Sequence, residues 1–293
     1  MADPLVSVLM TAYNRENYIA EAIESVLAQT FTDFELVIVD DGSRDKTVEI
    51  ARRYLTDLRV RLHVNEKNLG DYPNRNRAAS FANGKYLKYL DSDDKFHQPQ
   101  ALEGMVGAMQ RFPAAALLLQ RPHVEGKSYP MLLSSEQAYR EQFLGNGLLG
   151  IGPSATMMTR AAFKEAGCFT GKRYVGDFEL WLRIAARYPV VTVGEGLVWL
   201  RTHEGQEISS ERVQYPYGTA SYPVYMAALT SDQCPLSIAD RARAVRRVKR
   251  WQTRTLLRIA SIDRSPTKAM RIAREMGLGL RDLPCAFTVS DKQ

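Results

Sequence analysis

Residues 36–43, Leu-Val-Ile-Val-Asp-Asp-Gly-Ser, decide the fold of this 293-residue chain. Four consecutive apolar residues predict a parallel strand covered on both faces, because a strand with one wet face would alternate apolar and polar residues. The strand stops at Asp40-Asp41, and Asp45 then follows as the cap of a helix that contains Val48 and Leu55. A buried strand that leads into a helix is the repeating unit of an α/β sheet.

The same alternation extends along the chain in both directions. Further strands are predicted at residues 5–10, 60–64, 86–90, 115–119, 154–159 and 190–193, and helices at 19–29, 100–112 and 177–187. This order predicts an α/β fold with a doubly wound, mostly parallel sheet. In such sheets ligands bind beyond the carboxyl ends of the strands, and two aspartate clusters, at 40–41 and 91–94, fall at strand ends.

Charge divides the chain into two regions. The formal net charge is +6, and hydrophobic residues make up 45% of a composition that excludes a disordered chain or a collagen-like fibre. Residues 221–293 hold 14 basic and 6 acidic side chains, whereas residues 1–220 hold 25 and 27. The pattern beyond residue 210 is helical. We therefore predict an α/β domain at 1–215 and a basic helical C-terminal appendage at 216–293.

The appendage carries a helix with two distinct faces. Arginines recur on one face and mainly apolar residues on the other, namely Arg243, Arg247, Arg250, Arg254 and Arg258 against Val245, Val248, Gln252, Leu256 and Ile259. One interpretation is a helix that packs its apolar side and solvates its basic side. The other is peripheral contact with an anionic membrane or with an acidic glycan. A nucleic-acid partner is not predicted, because no known nucleic-acid-binding motif accompanies the arginines.

Three further absences bear on location. The first residues lack the basic and apolar regions of a signal peptide, and no window approaches the ~18 consecutive apolar residues of a membrane span. The cysteines, at 168, 234 and 285, are too far apart for a zinc motif. We expect a cytoplasmic protein, with peripheral attachment at the inner face of the membrane as the alternative.

The motif that most specifically indicates a chemical function is Asp91-Ser92-Asp93-Asp94. Three carboxylates within four residues repel one another and need a counter-charge, which Mg²⁺ or Mn²⁺ supplies through oxygen ligands. The alternative is a solvated turn that caps the next helix. Asp40-Asp41-Gly42-Ser43 is equally ambiguous by itself, since such turns are common, but a carboxylate there can also accept hydrogen bonds from a nucleobase or ribose.

Taken together, the motifs resemble those of the inverting family 2 glycosyltransferases with the GT-A fold, over about residues 4–210. The resemblance is carried by residues 6–14, 25–31, 34–43, 91–94, 176–183 and 200–203. Residues 10–14 and 176–177 are especially similar to those of the spore-coat polysaccharide transferase that is the structural prototype of the family. The resemblance implies a donor site in which Thr11 and Tyr13 border the base, Asp41 binds its imide edge and Arg75 contacts the base or the diphosphate.

The resemblance also implies a metal site and a catalytic base. Asp91–Asp94 matches the family's DXD motif, which places the ribose and the metal, in either the Asp91/Asp93 or the Asp93/Asp94 register. His203 falls where some members have a histidine near the metal or the diphosphate. Asp177 matches the general base, with Glu179 as the weaker candidate. This chain departs from the family in having Gly176 where many members have glutamate.

These residues predict a metal-dependent inverting hexosyltransferase. It would use Mn²⁺ or Mg²⁺ to move a sugar from a UDP- or dTDP-sugar to a hydroxyl of a glycan or lipid-linked acceptor, in cell-surface polysaccharide synthesis. A non-catalytic nucleotide-sugar-binding protein is the alternative, although the presence of Asp93 and Asp177 argues against it. A dinucleotide oxidoreductase is disfavoured, because no Gly-x-Gly-x-x-Gly follows the first strand.

Overall fold

The computed structural model describes residues 3–122, 126, 128–203, 214–262 and 264–279. The chain divides into two compact units. The first comprises Met1–Ala138 and Leu149–Thr202, and the second comprises Tyr139–Leu148 and His203–Gln293. The domain boundary at residue 215 stays a prediction, because residues 204–213 lie outside the described part of the chain.

Among its described residues, the first unit has ten strands. They are β1 Val6–Ala12, β2 Phe34–Asp40, β3 Val60–Val64, β4 Tyr86–Tyr89, β5 Lys95–Phe96, β6 Leu117–Gln120, β7 Met131–Leu133, β8 Thr156–Thr159, β9 Val190–Val193 and β10 Val198–Trp199. Eight of them form one sheet in the order β3-β2-β1-β4-β8-β6-β9-β7, while β5 and β10 form a two-stranded ribbon.

Helices connect most of these strands. Up to the end of the first unit they are α1 Ile19–Leu27, α2 Thr47–Arg52, α3 Asp71–Ser80, α4 Ala101–Arg111, α5 Ser135–Phe143, α6 Arg160–Glu165 and α7 Gly176–Ala185. A short 3₁₀ turn, Pro153–Ala155, precedes β8. The α/β class and the mostly parallel central sheet are therefore confirmed.

The parallel half of the sheet sets the position of the predicted site. Strand β1 pairs in parallel with both β2 and β4, with Val8 opposite Leu36 and Leu9 opposite Tyr89. Every residue of β2 is buried, as its unbroken apolar run predicts. Because β1, β2 and β4 run in the same direction, their carboxyl ends meet at one edge of the sheet. The aspartate clusters follow β2 and β4 at that edge.

The strands predicted from the sequence leave a gap between residues 119 and 154. Strand β7 lies in that gap and pairs antiparallel with β9 at the edge of the sheet. A three-residue strand has too little periodicity to be recognised, and its partner lies about 60 residues away in the chain. The helix α5 follows β7 directly.

In the described part of the second unit, the end of α5 is accompanied by the helices α8 Gln214–Thr230, α9 Ile238–Ser261 and α10 Pro266–Glu275. On α9, Val248, Gln252, Leu256 and Ile259 are buried and four of the five face arginines are exposed, as predicted. Arg250 differs, since it is half-buried and its Nε atom is inside the protein. Among the described residues, no helix combines the length and apolar character that crossing a bilayer requires.

Candidate active site

The edge formed by the ends of β1 and β2 carries the residues predicted to bind the base. Thr11 lies opposite Val39 in the sheet, and Tyr13 follows two residues later with its side chain 42% exposed. The backbone amide of Asp41 donates to the carbonyl of Ala12 at 2.8 Å, so the two strand ends are joined beyond the last ladder pair. Tyr13 is thus an accessible aromatic ring beside a rigid strand end.

The loops after β1 and β2 are tied together by side-chain hydrogen bonds. The amide of Asn14 donates to Ser43 Oγ at 2.8 Å, and Asn14 Oδ1 accepts from the amide of Arg44 at 2.9 Å. Asn14 adopts a left-handed conformation with φ of 53°, which asparagine tolerates better than most residues. The amide of Glu16 donates to Asp45 at 3.1 Å. This part of the edge is therefore held in place before any ligand binds.

Asp41 is almost fully buried, and both of its carboxylate oxygens accept hydrogen bonds within the protein. Its Oδ1 atom accepts from Asn65 Nδ2 at 2.7 Å and from the amide of Leu69 at 2.8 Å, and its Oδ2 atom accepts from the amide of Gly70 at 2.9 Å. These bonds fix the loop that leads into α3. Asp41 therefore stabilises the carboxyl edge of the sheet, where it is also predicted to contact a base.

Asp91, Asp93 and Asp94 form a compact acidic cluster after β4. One carboxylate oxygen from each residue lies within 4.8 Å of the others. Asp91 is paired with Arg75, whose Nη1 and Nη2 atoms donate to its two oxygens at 2.6 and 3.0 Å. The Nε atom of Arg75 donates to Asp71 at 2.8 Å. Arg75 is buried and so binds Asp91 as a fixed bidentate partner.

Asp93 and Asp94 have weaker cationic partners than Asp91. Arg15 Nε donates to Asp93 Oδ2 at 3.0 Å. Arg201 contributes its backbone amide to Asp94 Oδ1 at 3.0 Å and its Nε to the carbonyl of Asp93 at 2.9 Å. Burial, followed by repulsion from Asp91, raises the pKa of Asp94 to about 7. Asp93 and Asp94 are thus each in contact with an arginine.

A buried lysine lies beneath this cluster. Lys88 in β4 is fully buried, and its Nζ atom donates to the carbonyls of Tyr89 and Ser154. Burial lowers its pKa to about 7, while the charges of Asp94 and Asp91 act in the opposite direction. Ser154 Oγ also accepts from the amide of Asp91 at 2.9 Å. Lys88 and Ser154 thus fix the backbone on which the cluster begins.

Asp177 lies in the first turn of α7. Its Oδ1 atom accepts from the amide of Phe178 at 2.7 Å and lies 3.4 Å from the hydroxyl of Tyr72. Desolvation by the surrounding protein raises its pKa to about 6, although the charge of Arg75 lowers the pKa. Because Arg75 acts on Asp177 and also binds Asp91, the lone carboxyl and the acidic cluster belong to the same edge.

Glu179, the weaker candidate for the base, is bound to two neighbouring side chains. Its Oε1 atom accepts from Lys172 Nζ at 2.6 Å, and its Oε2 atom accepts from the hydroxyl of Thr170. A carboxylate with a cationic partner is a poorer proton acceptor than one without. Both oxygens of Glu179 are occupied by neighbouring side chains.

The structure brings most of the predicted residues to one edge, with one exception. Asp91, Asp93, Asp94, Arg75 and Asp177 are linked as described. His203 belongs to the second unit, where its side chain is half-buried, and its predicted place beside the metal stays a prediction.

Sequence reasoning assigned no role to several residues at this edge. Arg15, Tyr72 and Arg201 contact predicted site residues, and Lys88 interacts electrostatically with Asp91 and Asp94. The sequence could have indicated the importance of Lys88, because a lysine within an otherwise apolar strand must find buried hydrogen-bond partners. For Arg15 and Tyr72 the sequence offers no such indication, because their partners are distant in the chain.

The acidic cluster is chemically suited to a hard divalent cation. All its side-chain donors are carboxylate oxygens, which Mg²⁺ and Mn²⁺ accept, and their spacing allows more than one to reach a single ion. Asp91 is the least available of the three, because both of its oxygens are bound by Arg75. Asp93 and Asp94 are the residues best placed to hold a metal.

Two solved glycosyltransferases share this architecture. S. aureus TarS 1-349, in complex with UDP-GlcNAc, aligns with a TM-score of 0.65 and 21% identity over 96% of this chain and 78% of its own. The mannosyltransferase PcManGT from Pyrobaculum calidifontis, in complex with GDP-Man and Mn²⁺, aligns with a TM-score of 0.62 and 15% identity over 98% and 86%. The fold is thus that of the GT-A glycosyltransferases.

Sequence comparison then identifies the family. The sequence model of glycosyl transferase family 2 matches residues 7–167, and the chain belongs to that family. An uncharacterized glycosyltransferase of Rickettsia typhi is 26% identical over 239 residues, which are 78% of this chain and 74% of the relative. TuaG of Bacillus subtilis, which is named for teichuronic acid biosynthesis, is 38% identical over 109 residues, or 37% of this chain and 43% of its own.

Proposed function

We propose that this chain is a metal-dependent inverting glycosyltransferase that transfers a hexose from a nucleoside-diphosphate sugar to a hydroxyl group. The observation that carries the proposal is the pairing of two unlike carboxylate sites at one edge. The cluster at 91–94 concentrates negative charge for a cation, whereas Asp177 has a pKa of about 6 that suits proton transfer near neutral pH.

The donor would lie along the ends of β1 and β2. Tyr13 offers an exposed ring for stacking on the base, with Thr11 beside it. Asp41 would meet the imide edge of a pyrimidine, which favours UDP- or dTDP-sugars. The UDP-GlcNAc in TarS supports a uridine nucleotide, while the GDP-Man in PcManGT shows that the fold also accepts a purine nucleotide.

Asp93 and Asp94 would hold the metal. This register is supported by the bidentate pairing of Asp91 with Arg75, which leaves Asp91 to contact the ribose. A divalent cation bound there would neutralise the charge that develops on the departing diphosphate. The Mn²⁺ in PcManGT supports this assignment. Arg75 would keep Asp91 oriented throughout.

Asp177 would act as the general base. An oxygen of the acceptor hydroxyl attacks the anomeric carbon, and the bond from that carbon to the phosphate oxygen breaks with its electron pair. The proton of the attacking hydroxyl passes to the carboxylate of Asp177, a contribution of typically ~10²–10⁴-fold. A single displacement of this kind inverts the configuration at the anomeric carbon.

The acceptor is proposed to be a glycan or a lipid-linked saccharide of cell-surface polysaccharide synthesis. The name of TuaG supports a surface polysaccharide. The second unit supports a membrane-bound acceptor, because exposed Trp251, Ile262 and Met270 accompany the exposed arginines of α9 and α10. Apolar side chains among cations suit an anionic lipid surface. The cytoplasmic location stays a prediction.

A nucleotide screen tests the donor and the metal together. The thermal midpoint of the full chain is measured with UDP, dTDP and GDP sugars, with and without Mn²⁺. A ligand at 100 times its Kd stabilises a protein by about 2.7 kcal/mol. We expect a UDP- or dTDP-sugar to raise the midpoint, and Mn²⁺ to increase that shift in the wild type but not in Asp93→Asn.

The reaction itself is tested with the donor found in that screen. Transfer to a model acceptor is followed by NMR of the anomeric proton, and we expect the opposite configuration from that of the donor. Retained configuration would refute the single displacement. Donor binding without transfer to any acceptor hydroxyl or to water would favour the non-catalytic nucleotide-sugar-binding protein.

A further inference from the structure

Tyr72 in α3 makes three contacts with the N-terminal turn of α7. Its hydroxyl oxygen accepts from the amide of Gly176 at 3.0 Å and from the amide of Asp177 at 3.3 Å. The same oxygen lies 3.4 Å from Asp177 Oδ1. The side chain is nearly fully buried, and its ring lies against Phe169 with a centroid separation of 5.2 Å.

The chemistry of a hydroxyl fixes the direction of the third contact. A tyrosine hydroxyl has one hydrogen to donate, and its oxygen accepts from N–H groups. With the amides of Gly176 and Asp177 using the oxygen as acceptor, the single hydrogen points to the carboxylate of Asp177. Burial, followed by the charge of Asp177, raises the pKa of Tyr72, so this hydroxyl stays protonated and remains a donor.

Gly176 belongs to the same arrangement. A Cβ atom at this position would lie 2.7 Å from Cε2 and 2.8 Å from Cζ of Tyr72, closer than real Cβ contacts occur. Any side chain at 176 would therefore displace the ring. The departure from the glutamate of many family members thus has a physical cause, since the ring of Tyr72 fills that space.

We propose that Tyr72 is the positioning residue for Asp177, and that Gly176 is present because it leaves room for the tyrosine ring. This inference rests on the proposed role of Asp177 as the base. In this chain, a neutral hydroxyl lies beside the proposed base.

The electrostatics around Asp177 agree with a positioning role. Three groups on α3 face Asp177, namely Asp71, Tyr72 and Arg75. Arg75 lowers the pKa of Asp177 and Asp71 raises it, so their effects oppose each other. A second carboxylate at 176 would add repulsion at this point, whereas a hydroxyl orients the base without adding charge.

Tyr72→Phe is the first test, because it removes the hydroxyl and keeps the ring. We expect kcat to fall about tenfold with the KM for the donor unchanged, as for loss of one oriented hydrogen bond in the transition state. The acid limb of the pH profile should move to higher pH, because the ionised form of Asp177 loses a donor. Tyr139→Phe, another buried tyrosine, is the matched control and should leave the limb in place.

Gly176→Ala and Tyr72→Ala together form a double-mutant cycle. Alone, Gly176→Ala displaces the ring and should shift the acid limb in the same direction as Tyr72→Phe. In a Tyr72→Ala background the added methyl group meets open space, so the second change should have no further effect on kcat. Additive effects of the two changes would overturn the proposal, because independent sites add.

A titration separates this inference from the proposed function. The pKa of the Asp177 carboxyl, measured by carbon-13 NMR with Asp177→Asn for assignment, should rise in Tyr72→Phe whether or not the protein turns over. An unchanged pKa would refute the positioning role alone. If Asp177→Asn retains full transfer activity, the base assignment fails even where the NMR shift is found.

Discussion

The two carboxylate sites at the carboxyl edge of the sheet are built in opposite ways. In the acidic cluster, Asp91 and Asp93 each face an arginine, and Arg75 binds Asp91 with two hydrogen bonds. Asp177 accepts a hydrogen bond from a backbone amide and lies beside a neutral hydroxyl. The first site gathers three carboxylates with arginines beside them, whereas the second is a single desolvated carboxyl beside a neutral hydroxyl. One edge of the sheet therefore presents carboxylates in two different electrostatic environments.

Of the substitutions at these two sites, Asp177→Asn should lower the rate of transfer most. The amide keeps the size of the side chain but cannot take a proton, so kcat should fall ~10²–10⁴-fold. Donor affinity, measured by calorimetry with Mn²⁺ present, should change little. A matched control is Glu179→Gln, which alters a nearby carboxylate that is already paired with Lys172. Near wild-type transfer by Asp177→Asn would remove the base from the scheme.

Asp93→Asn should affect the other site by a somewhat smaller factor. Loss of one metal-binding oxygen weakens the stabilisation of the leaving diphosphate, and we expect transfer to fall about 10²–10³-fold. Unlike Asp177→Asn, this change should also abolish the effect of Mn²⁺ on donor binding. Calorimetric titration of donor with and without Mn²⁺ distinguishes the two variants. Equal Mn²⁺ dependence in Asp93→Asn and wild type would contradict the metal assignment.

The pH dependence sharpens the distinction between the sites. The folded-state pKa of Asp177 is raised to about 6, so below that pH the carboxyl is protonated and cannot act as a base. We expect kcat/KM to fall about tenfold per pH unit below pH 6 and to be level above it, until another group titrates. The measurement is a pH profile at saturating Mn²⁺. An acid limb centred near pH 4 would mean that desolvation of Asp177 is relieved in the active state.

Arg15→Gln should give the smallest effect, and in the opposite direction. Arg15 neutralises Asp93 in part and competes with a cation for its charge. A partly exposed ion pair contributes up to about 1 kcal/mol, so we expect Mn²⁺ affinity to increase about two- to fivefold. Manganese binding followed by electron paramagnetic resonance measures this. Arg53→Gln, which removes an exposed ion pair with Glu49, is the control. Weaker Mn²⁺ binding in Arg15→Gln would show that Arg15 helps to order the cluster.

Much of the fold follows from local sequence because its central strands, such as β2 and β4, are buried on both faces. The run at 36–39 could hardly be anything other than a central strand, and the acidic cluster is contiguous in sequence. The strand at 131–133 escaped prediction because its pairing with β9 comes from tertiary contacts. Arg250 was expected on a solvated face, but helix periodicity alone does not show where neighbouring elements cover a helix.

The partners within the site could not be derived in the same way. Arg15 and Asp93 are 78 residues apart, and Tyr72 and Gly176 are 104 apart. Such pairings depend on how loops and helices meet after folding. Gly176 is the one sign of these pairings in the sequence. The ring of Tyr72 occupies the space that a side chain at position 176 would need.

The interlocked loops after β1 and β2 have a consequence for local unfolding. Asn14 and Glu16 of one loop bond to Ser43, Arg44 and Asp45 of the other, and the amide of Lys46 donates to Glu16 Oε2 at 3.0 Å. Neither loop can open while the other stays closed. Their amide hydrogens should therefore exchange with solvent deuterium together, as one cooperative unit.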